Sequence, residues 1–236
     1  MTVHATADAS PLLRSDAGGI VTLTLNRPAA RNALSEALID ALTHELDRIA
    51  ADAAARVVML TAAGPAFSSG HDLKEMTAHR ADPDRGRAYF TEIMARCSAM
   101  MERIVRLPQP VIAIVEGIAT AAGCQLAASC DLAVAGANAR FATPGVHIGL
   151  FCSTPMVALS RKVLQKHAME MLLTGEPVSA ARAHAIGLVN SVHRADEMDE
   201  AVGLVAGLIA SKSLMTLSTG KEAFYRQADM SLPDAY

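Results

Sequence analysis

The sequence predicts an α/β fold, and three observations carry that prediction: short β-branched runs, long amphipathic stretches between them, and small-residue turns where the runs end. Ile20–Leu25 alternates β-branched and other apolar residues as a strand does, and residues 57–61 and Val111–Val115 are short apolar runs bounded by turn formers. Between the first two runs, Leu38, Leu42, Leu46 and Ile49 recur at helical spacing behind Ser35, a residue suited to cap a helix. Ahead of the third, Tyr89, Ile93, Cys97, Met101 and Ile104 form a second apolar stripe. Strand, helix, strand, helix, strand in that order implies parallel strands joined by crossovers.

Further along, residues 119–129 are small and apolar enough for a buried helix, and residues 132–135 read as another strand. After Thr154 the chain turns mostly helical. Thr154-Pro155 opens a helix as cap and first-turn proline, Thr174-Gly175 stops one, and residues 179–187 are capped at both ends. No fixed-period repeat and no linker follow residue 20. The expected organisation is a flexible arm over residues 1–19, one core domain over 20–195 and a helical C-terminal region over 196–236.

Composition narrows the function. The 236 residues are 51% hydrophobic with a formal charge of −3, which suits one sizeable core and offers no basic face to nucleic acid. No apolar run approaches the roughly 18 residues of a membrane helix, so no membrane partner is expected. The N-terminal arm lacks the apolar segment of a secretory signal. Cys97, Cys124, Cys130 and Cys152 show neither metal-finger nor C-x-x-C spacing, so no metal site is expected. Unpaired thiols in apolar settings point to a reducing surrounding, taken as the cytoplasm.

Three glycine-bearing segments adjoin the runs: Phe67-Ser68-Ser69-Gly70-His71-Asp72-Leu73, Ala121-Ala122-Gly123-Cys124-Gln125-Leu126 and Phe141-Ala142-Thr143-Pro144-Gly145. A small-residue stretch at a helix start leaves N–H groups free to face outward, which suits a developing oxyanion. The competing reading is that Gly70 and Gly123 serve only tight turns or close packing.

In order, these segments are accompanied by Thr24-Leu25-Asn26-Arg27-Pro28, Arg31-Asn32-Ala33-Leu34, Pro110-Val111-Ile112-Ala113, Cys130-Asp131-Leu132, and Leu173-Thr174-Gly175-Glu176 ahead of Gly187-Leu188-Val189. Together they resemble the crotonase, or enoyl-CoA hydratase/isomerase, superfamily over nearly the whole chain from Ile20. Within it the likeness is to the domain-containing-protein-3 group. The resemblance implies the crotonase spiral of strand-strand-helix turns and a homotrimer or a hexamer of two trimers. It implies an acyl-CoA thioester as partner, with coenzyme A part of the substrate and no separate cofactor. Family members usually continue past the position of Tyr236 into helix that helps cover the CoA site, so the C-terminal region is expected to be incomplete.

By motif matching, the family's oxyanion hole falls on the backbone N–H groups of His71 and Ala122. Its CoA surface falls on Arg31, Ala33, Ser69, Gly70, Asp72, Leu73, Lys74 and Gly123, with Arg31, Lys74 and Arg27 as candidate partners of phosphate. The departure from the family is sharper than the match. Where its hydratases carry two glutamates, this chain has Gln125 and Gly145, and neither an amide nor a missing side chain performs general acid/base work. His147 and Cys152 are the nearby candidates for pocket residues, His147 because an imidazole titrates near neutrality.

Three functions are compatible with this pattern: a hydratase or isomerase with an unconventional proton path, decarboxylase-type enolate chemistry, and a non-catalytic acyl-CoA-binding regulator. Family members with histidine at the place of His71 suggest the second, which needs no glutamate.

Overall fold

The computed structural model describes residues 10–236, so the first nine residues of the expected arm lie outside it. The remainder of that arm is not free chain. Leu12–Ala17 forms strand β1, joined to β2 (Ile20–Leu25) by a two-residue turn in which Gly18 and Gly19 have φ of 59° and 82°. Two successive positive φ values twist a hairpin in the sense its strands require, and glycine adopts them without steric cost. Leu12 is buried opposite Leu25, while Arg14 reaches Asp16, Glu45 and Asp52 at 2.7, 3.1 and 3.3 Å. A polar strand of this kind is suited to a sheet edge.

Helix α1 (Glu36–Ala50) begins where Ser35 predicts, with the Ser35 Oγ accepting the Leu38 N–H at 3.2 Å. The chain then makes three similar turns of a spiral. Strand β3 (Val57–Ala62) hands over to β4 (Ala66–Ser68), followed by α2 (Leu73–Ala78) and α3 (Arg87–Arg106). Strand β5 (Val111–Val115) hands over to β6 (Ile118–Thr120), followed by α4 (Ala122–Ser129). Strand β7 (Leu132–Gly136) hands over to β8 (Arg140–Ala142), followed by α5 (Ser153–Leu159) and α6 (Gln165–Thr174). Two short strands, β9 (Val178–Ser179) and β10 (Ser191–His193), flank α7 (Ala180–Ala185). Helices α8 (Met198–Ala210), α9 (Leu214–Gln227) and α10 (Leu232–Ala235) complete the chain.

The first strand of each turn enters a six-stranded sheet of order β1-β2-β3-β5-β7-β10, parallel except for the β1 hairpin. The second enters a four-stranded sheet of order β4-β6-β8-β9. This is the strand-strand-helix spiral that the resemblance implies. Two local expectations are corrected. Ala119 and Thr120, read as the start of a buried helix, belong to β6, and α5 is capped by Cys152 rather than Thr154. A tripeptide of small residues carries too little periodicity to separate strand from helix.

The large sheet is covered on both faces, which is why its strands read as continuous apolar runs. One face meets α1, α3 and α4 in the main core. Against the other, Met198, Val202 and Ala206 of α8 pack on Val57, Ile112 and Val134. Helix α8 therefore belongs to the core layers. Helices α8 and α9 meet at 99°, and no single helix among the described residues is long and apolar enough to cross a membrane.

A half-buried polar cluster docks α9. Asp131, between α4 and β7, accepts from the Val111 N–H at 2.7 Å, from Lys221 Nζ at 2.7 Å and from the Tyr225 hydroxyl at 2.9 Å. Lys221 also donates to the carbonyls of Ile104 and Gln109 at 3.0 and 3.1 Å, and Lys162 Nζ reaches the Tyr225 hydroxyl at 3.0 Å. Burial pushes both ammonium groups below the usual lysine range, with Asp131 opposing it. The Cys130-Asp131-Leu132 motif thus holds the last long helix onto the body.

Candidate functional site

The site begins with the loop from β2 to α1. Arg31 and Asn32 lie in the left-handed region, with φ of 51° and 50°. Asparagine tolerates that conformation, and here its buried amide satisfies the strand ends nearby. Asn32 Nδ2 donates to the carbonyls of Ala63 and Ala66, both at 2.8 Å, and its Oδ1 accepts the Arg27 N–H at 2.8 Å. Ser68 Oγ donates to the Asn32 carbonyl at 2.8 Å. These bonds pin the loop to the β3–β4 turn. Asn32 is visible in the Arg-Asn-Ala-Leu motif, yet its role depends on partners more than thirty residues away.

The same loop sets the Gly70 turn. Leu34 donates its N–H to the Gly70 carbonyl at 2.7 Å and accepts the Asp72 N–H at 3.1 Å, the pattern of a parallel bridge centred on His71. In that pattern the N–H and carbonyl of His71 itself face away from Leu34. Gly70 has φ 87°, and a Cβ there would stand 2.9 Å from Ala121 Cβ and 3.2 Å from the Ala122 nitrogen. The two small-residue turns are therefore in contact. Gly123 is as constrained, since a Cβ on it would overlap the carbonyl of Ser68.

Ala121 holds φ 51° and ψ −121°, a conformation that costs a residue with a Cβ roughly 1–3 kcal/mol. It is held by its own N–H to Ala142 O at 2.9 Å and by its carbonyl, which accepts the Gln125 N–H at 3.0 Å. The strained peptide turns the Ala122 N–H out of the helix start. Neither the His71 N–H nor the Ala122 N–H donates to a protein acceptor among the described residues. Gly70→Ala is expected to cost about 2–3 kcal/mol, from the positive φ and from overpacking against Ala121. A denaturant midpoint unchanged from wild type would show that this contact can relax.

Gln125 lies one turn beyond Ala122 on the same face of α4. It is 4% exposed, and its Oε1 is buried with no hydrogen-bond partner. The His71 Nε2 is likewise buried and unpartnered, and burial pushes the imidazole below its usual range, so the ring is neutral at pH 7. Gly145 is buried in the 3₁₀ turn Pro144–Ile148, where a Cβ would stand 2.7 Å from the Leu150 carbonyl and 2.9 Å from Cys152 Sγ. Gly145 therefore has no room for a larger side chain without movement of the segment from Leu150 to Cys152. Burial pushes the Cys152 thiol up, partly offset by the Gly145 N–H, and raises Cys124 to about 12, so neither is a thiolate nucleophile at neutral pH.

Beside the Gly70 turn, Arg31, Leu73 and Lys74 are exposed, with neither cation in an ion pair among the described residues. Ser69 donates its N–H to the Arg31 carbonyl at 3.0 Å, which joins these residues to the Gly70 turn. Arg27 and Asp72 pair with each other. Arg27 bonds the Ala33 carbonyl at 2.7 Å and Asp72 Oδ2 at 3.0 Å, so its charge is already matched. Asp72 caps α2 through Oδ1 and the Lys74 N–H at 3.0 Å. Burial pushes that carboxyl up, but the Arg27 and backbone hydrogen bonds outweigh it and hold it below the ordinary value. His147 lies at the surface over Gly175, with Nε2 3.9 Å from Glu176 Oε1.

This geometry can be set beside known proteins. A family model described as enoyl-CoA hydratase/isomerase matches residues 15–236. The chain is 47% identical over 218 residues to "Enoyl-CoA hydratase domain-containing protein 3, mitochondrial" of Rattus norvegicus, covering 92% of this chain and 71% of that one. The Homo sapiens protein of the same name is 48% identical, covering 92% and 70%. A solved structure of enoyl-CoA hydratase from Mycobacterium smegmatis superposes with a TM-score of 0.91 at 52% identity, over 96% of this chain and 86% of that one. The expectation of a cytoplasmic protein is overturned by the rat and human relatives, which are named mitochondrial. Buried thiols report a reducing surrounding and do not distinguish one such compartment from another. From residue 15 to its last residue, this chain belongs to the enoyl-CoA hydratase/isomerase family.

Proposed function

We propose that the protein binds an acyl-CoA thioester against the Gly70 and Ala122 turns and polarises the thioester carbonyl with the N–H groups of His71 and Ala122. The observation that carries this reading is the contact between the turns: Gly70, next to His71, lies against the Ala122 nitrogen, and the His71 and Ala122 N–H groups have no protein acceptor among the described residues. Fixed donors at such a locus stabilise the oxyanion of an enolate more than the ground-state carbonyl, because they need no reorganisation as charge develops. Exposed Arg31 and Lys74, adjoining the Gly70 turn, supply cations for the nucleotide phosphates.

The proton-transfer half of the family's hydration chemistry is not supported by the same residues. Gln125 cannot exchange a proton, Gly145 has no side chain and no room for one, and neutral His71 has no carboxylate partner among the described residues. The function supported best is thioester binding with carbonyl polarisation, in a hydratase-type scaffold that lacks the paired acid and base. Self-association into a trimer is part of the proposal, since α8 and α9 expose Leu204, Leu208, Met215 and Phe224.

Calorimetric titration tests the central claim. Acetoacetyl-CoA is expected to bind at least about tenfold tighter than CoA alone, because a matched buried carbonyl adds one or two hydrogen bonds of about 1 kcal/mol each. Equal affinities for the thioester and for CoA would remove the carbonyl hole from the reading.

A further inference from the structure

We infer that Ser68 is a positioning residue for the thioester site: its hydroxyl captures the Gly70 N–H and so leaves the His71 N–H as the donor that the turn offers to the thioester oxygen. The inference rests on the proposed thioester binding and adds the side chain that selects its donor.

Strand β4 reads Ala66-Phe67-Ser68, three buried residues of which only the last is polar. Gly123 packs so closely on Ser68 that a Cβ there would stand 2.8 Å from the Ser68 Cβ, which restricts position 68 to a small side chain. A methyl group would meet that restriction without burying a hydroxyl, whose desolvation must be offset by hydrogen bonds. Both of its bonds are directed. A serine hydroxyl has one proton and two lone pairs. The proton goes to the Asn32 carbonyl at 2.8 Å, which leaves the lone pairs to accept the Gly70 N–H at 3.3 Å. Asn32 is itself held by its side-chain bonds to Arg27, Ala63 and Ala66, so the hydroxyl is oriented from a fixed point.

The amides of residues 69–72 are then all committed but one. The Ser69 N–H goes to the Arg31 carbonyl at 3.0 Å, the Gly70 N–H to Ser68, and the Asp72 N–H to the Leu34 carbonyl at 3.1 Å. Among the described residues, the His71 N–H has no acceptor. A trans peptide points its carbonyl and its N–H in opposite directions, so the Leu34 N–H, by holding the Gly70 carbonyl at 2.7 Å, turns the His71 N–H the other way. Gly70 has φ 87°, and a glycine restrains the peptides on either side of it less than any other residue does. Leu34 holds the peptide after Gly70, and Ser68 holds the one before it. In Ser68→Ala the Gly70 N–H loses its acceptor, the preceding peptide is free to turn, and a second donor competes with His71 for the thioester oxygen from a different angle.

Calorimetric titration of wild type, Ser68→Ala and Ser68→Cys with CoA and with acetoacetyl-CoA tests this. Ser68→Ala is expected to bind CoA within about twofold of wild type, while its preference for the thioester falls from about tenfold or more to about twofold, the factor that one misdirected hydrogen bond removes. Ser68→Cys keeps a weak donor and acceptor in a side chain of similar size and is expected to fall between the two. A lower melting temperature with an unchanged preference in Ser68→Ala overturns the inference, because a purely structural residue behaves in that way. A preference in Ser68→Cys no better than in Ser68→Ala overturns it as well. Equal affinities of wild type for CoA and acetoacetyl-CoA remove the thioester reading, and the inference falls with it. Residue-resolved hydrogen exchange of the wild type decides the matter even where neither variant folds. Without ligand, the Gly70 and Asp72 amides are expected to exchange at least about tenfold slower than that of His71, and acetoacetyl-CoA, but not CoA, is expected to slow His71. A Gly70 amide that exchanges as fast as His71, or that the thioester protects in its place, overturns the inference and leaves the thioester reading standing.

Discussion

On the proposal that Gln125 and Gly145 stand in place of a catalytic acid and base, each worth about 10²–10⁴, the purified protein is expected to hydrate crotonyl-CoA slower by about 10⁴-fold or more than a hydratase with both carboxylates. Loss of absorbance of the conjugated thioester, followed in protein free of host hydratase, measures it. A rate at the family's ordinary level would show that another group carries the protons. The two positions, Gln125 and Gly145, are not equivalent. Gln125→Glu replaces one amide by an acid of the same shape and is expected to raise hydration by up to about 10²-fold over wild type. Gly145→Glu is expected to add nothing and to destabilise, because its Cβ alone would meet the Leu150 carbonyl at 2.7 Å and Cys152 Sγ at 2.9 Å. If the double variant gained rate over Gln125→Glu, the segment from Leu150 to Cys152 would have to move aside readily.

Lys221→Ala is expected to cost about 1.5–3 kcal/mol of unfolding free energy, the range for a hydrogen bond to a charged group, because the Lys221–Asp131 pair is only partly buried. Asp131 would keep the Tyr225 hydroxyl and the Val111 N–H but lose its counter-ion, and the Ile104 and Gln109 carbonyls would lose a donor. Amide hydrogen exchange should rise first along α9, which buries none of its residues deeply and depends on this cluster for its docking. The double variant Lys221→Met with Asp131→Asn should be less destabilised than the sum of its single changes, because no uncompensated charge remains. Equal and additive losses would show that the pair contributes packing and not charge.

The corrections share one cause with the successes. Ile20–Leu25 and Val111–Val115 are strands over the same residues that their local pattern marks, and Ser35 caps α1 as its position predicts. Strand β1 escapes a reading by apolar runs although Gly18-Gly19 is a hairpin signal, because a strand that pairs at one edge and carries Arg14 and Asp16 has no such run. Arg27 and Arg31 look alike in sequence. One is paired with Asp72 and the other is exposed, and only the path of the chain makes that difference.

The sequence by itself determined the spiral of strands and helices, the membership in the family, and the absence of carboxylates at residues 125 and 145, because periodicity, turn residues and motif identity are local properties. Tertiary structure decided the rest. It brought Gly70 against Ala122, set Asn32 as the staple between β2 and the β3–β4 turn, filled the space beside Gly145 with the Leu150 carbonyl, and tied Asp131 to Lys221 ninety residues away. Each of these is a contact between segments distant in sequence, whose geometry exists only once the sheets have closed on their common core.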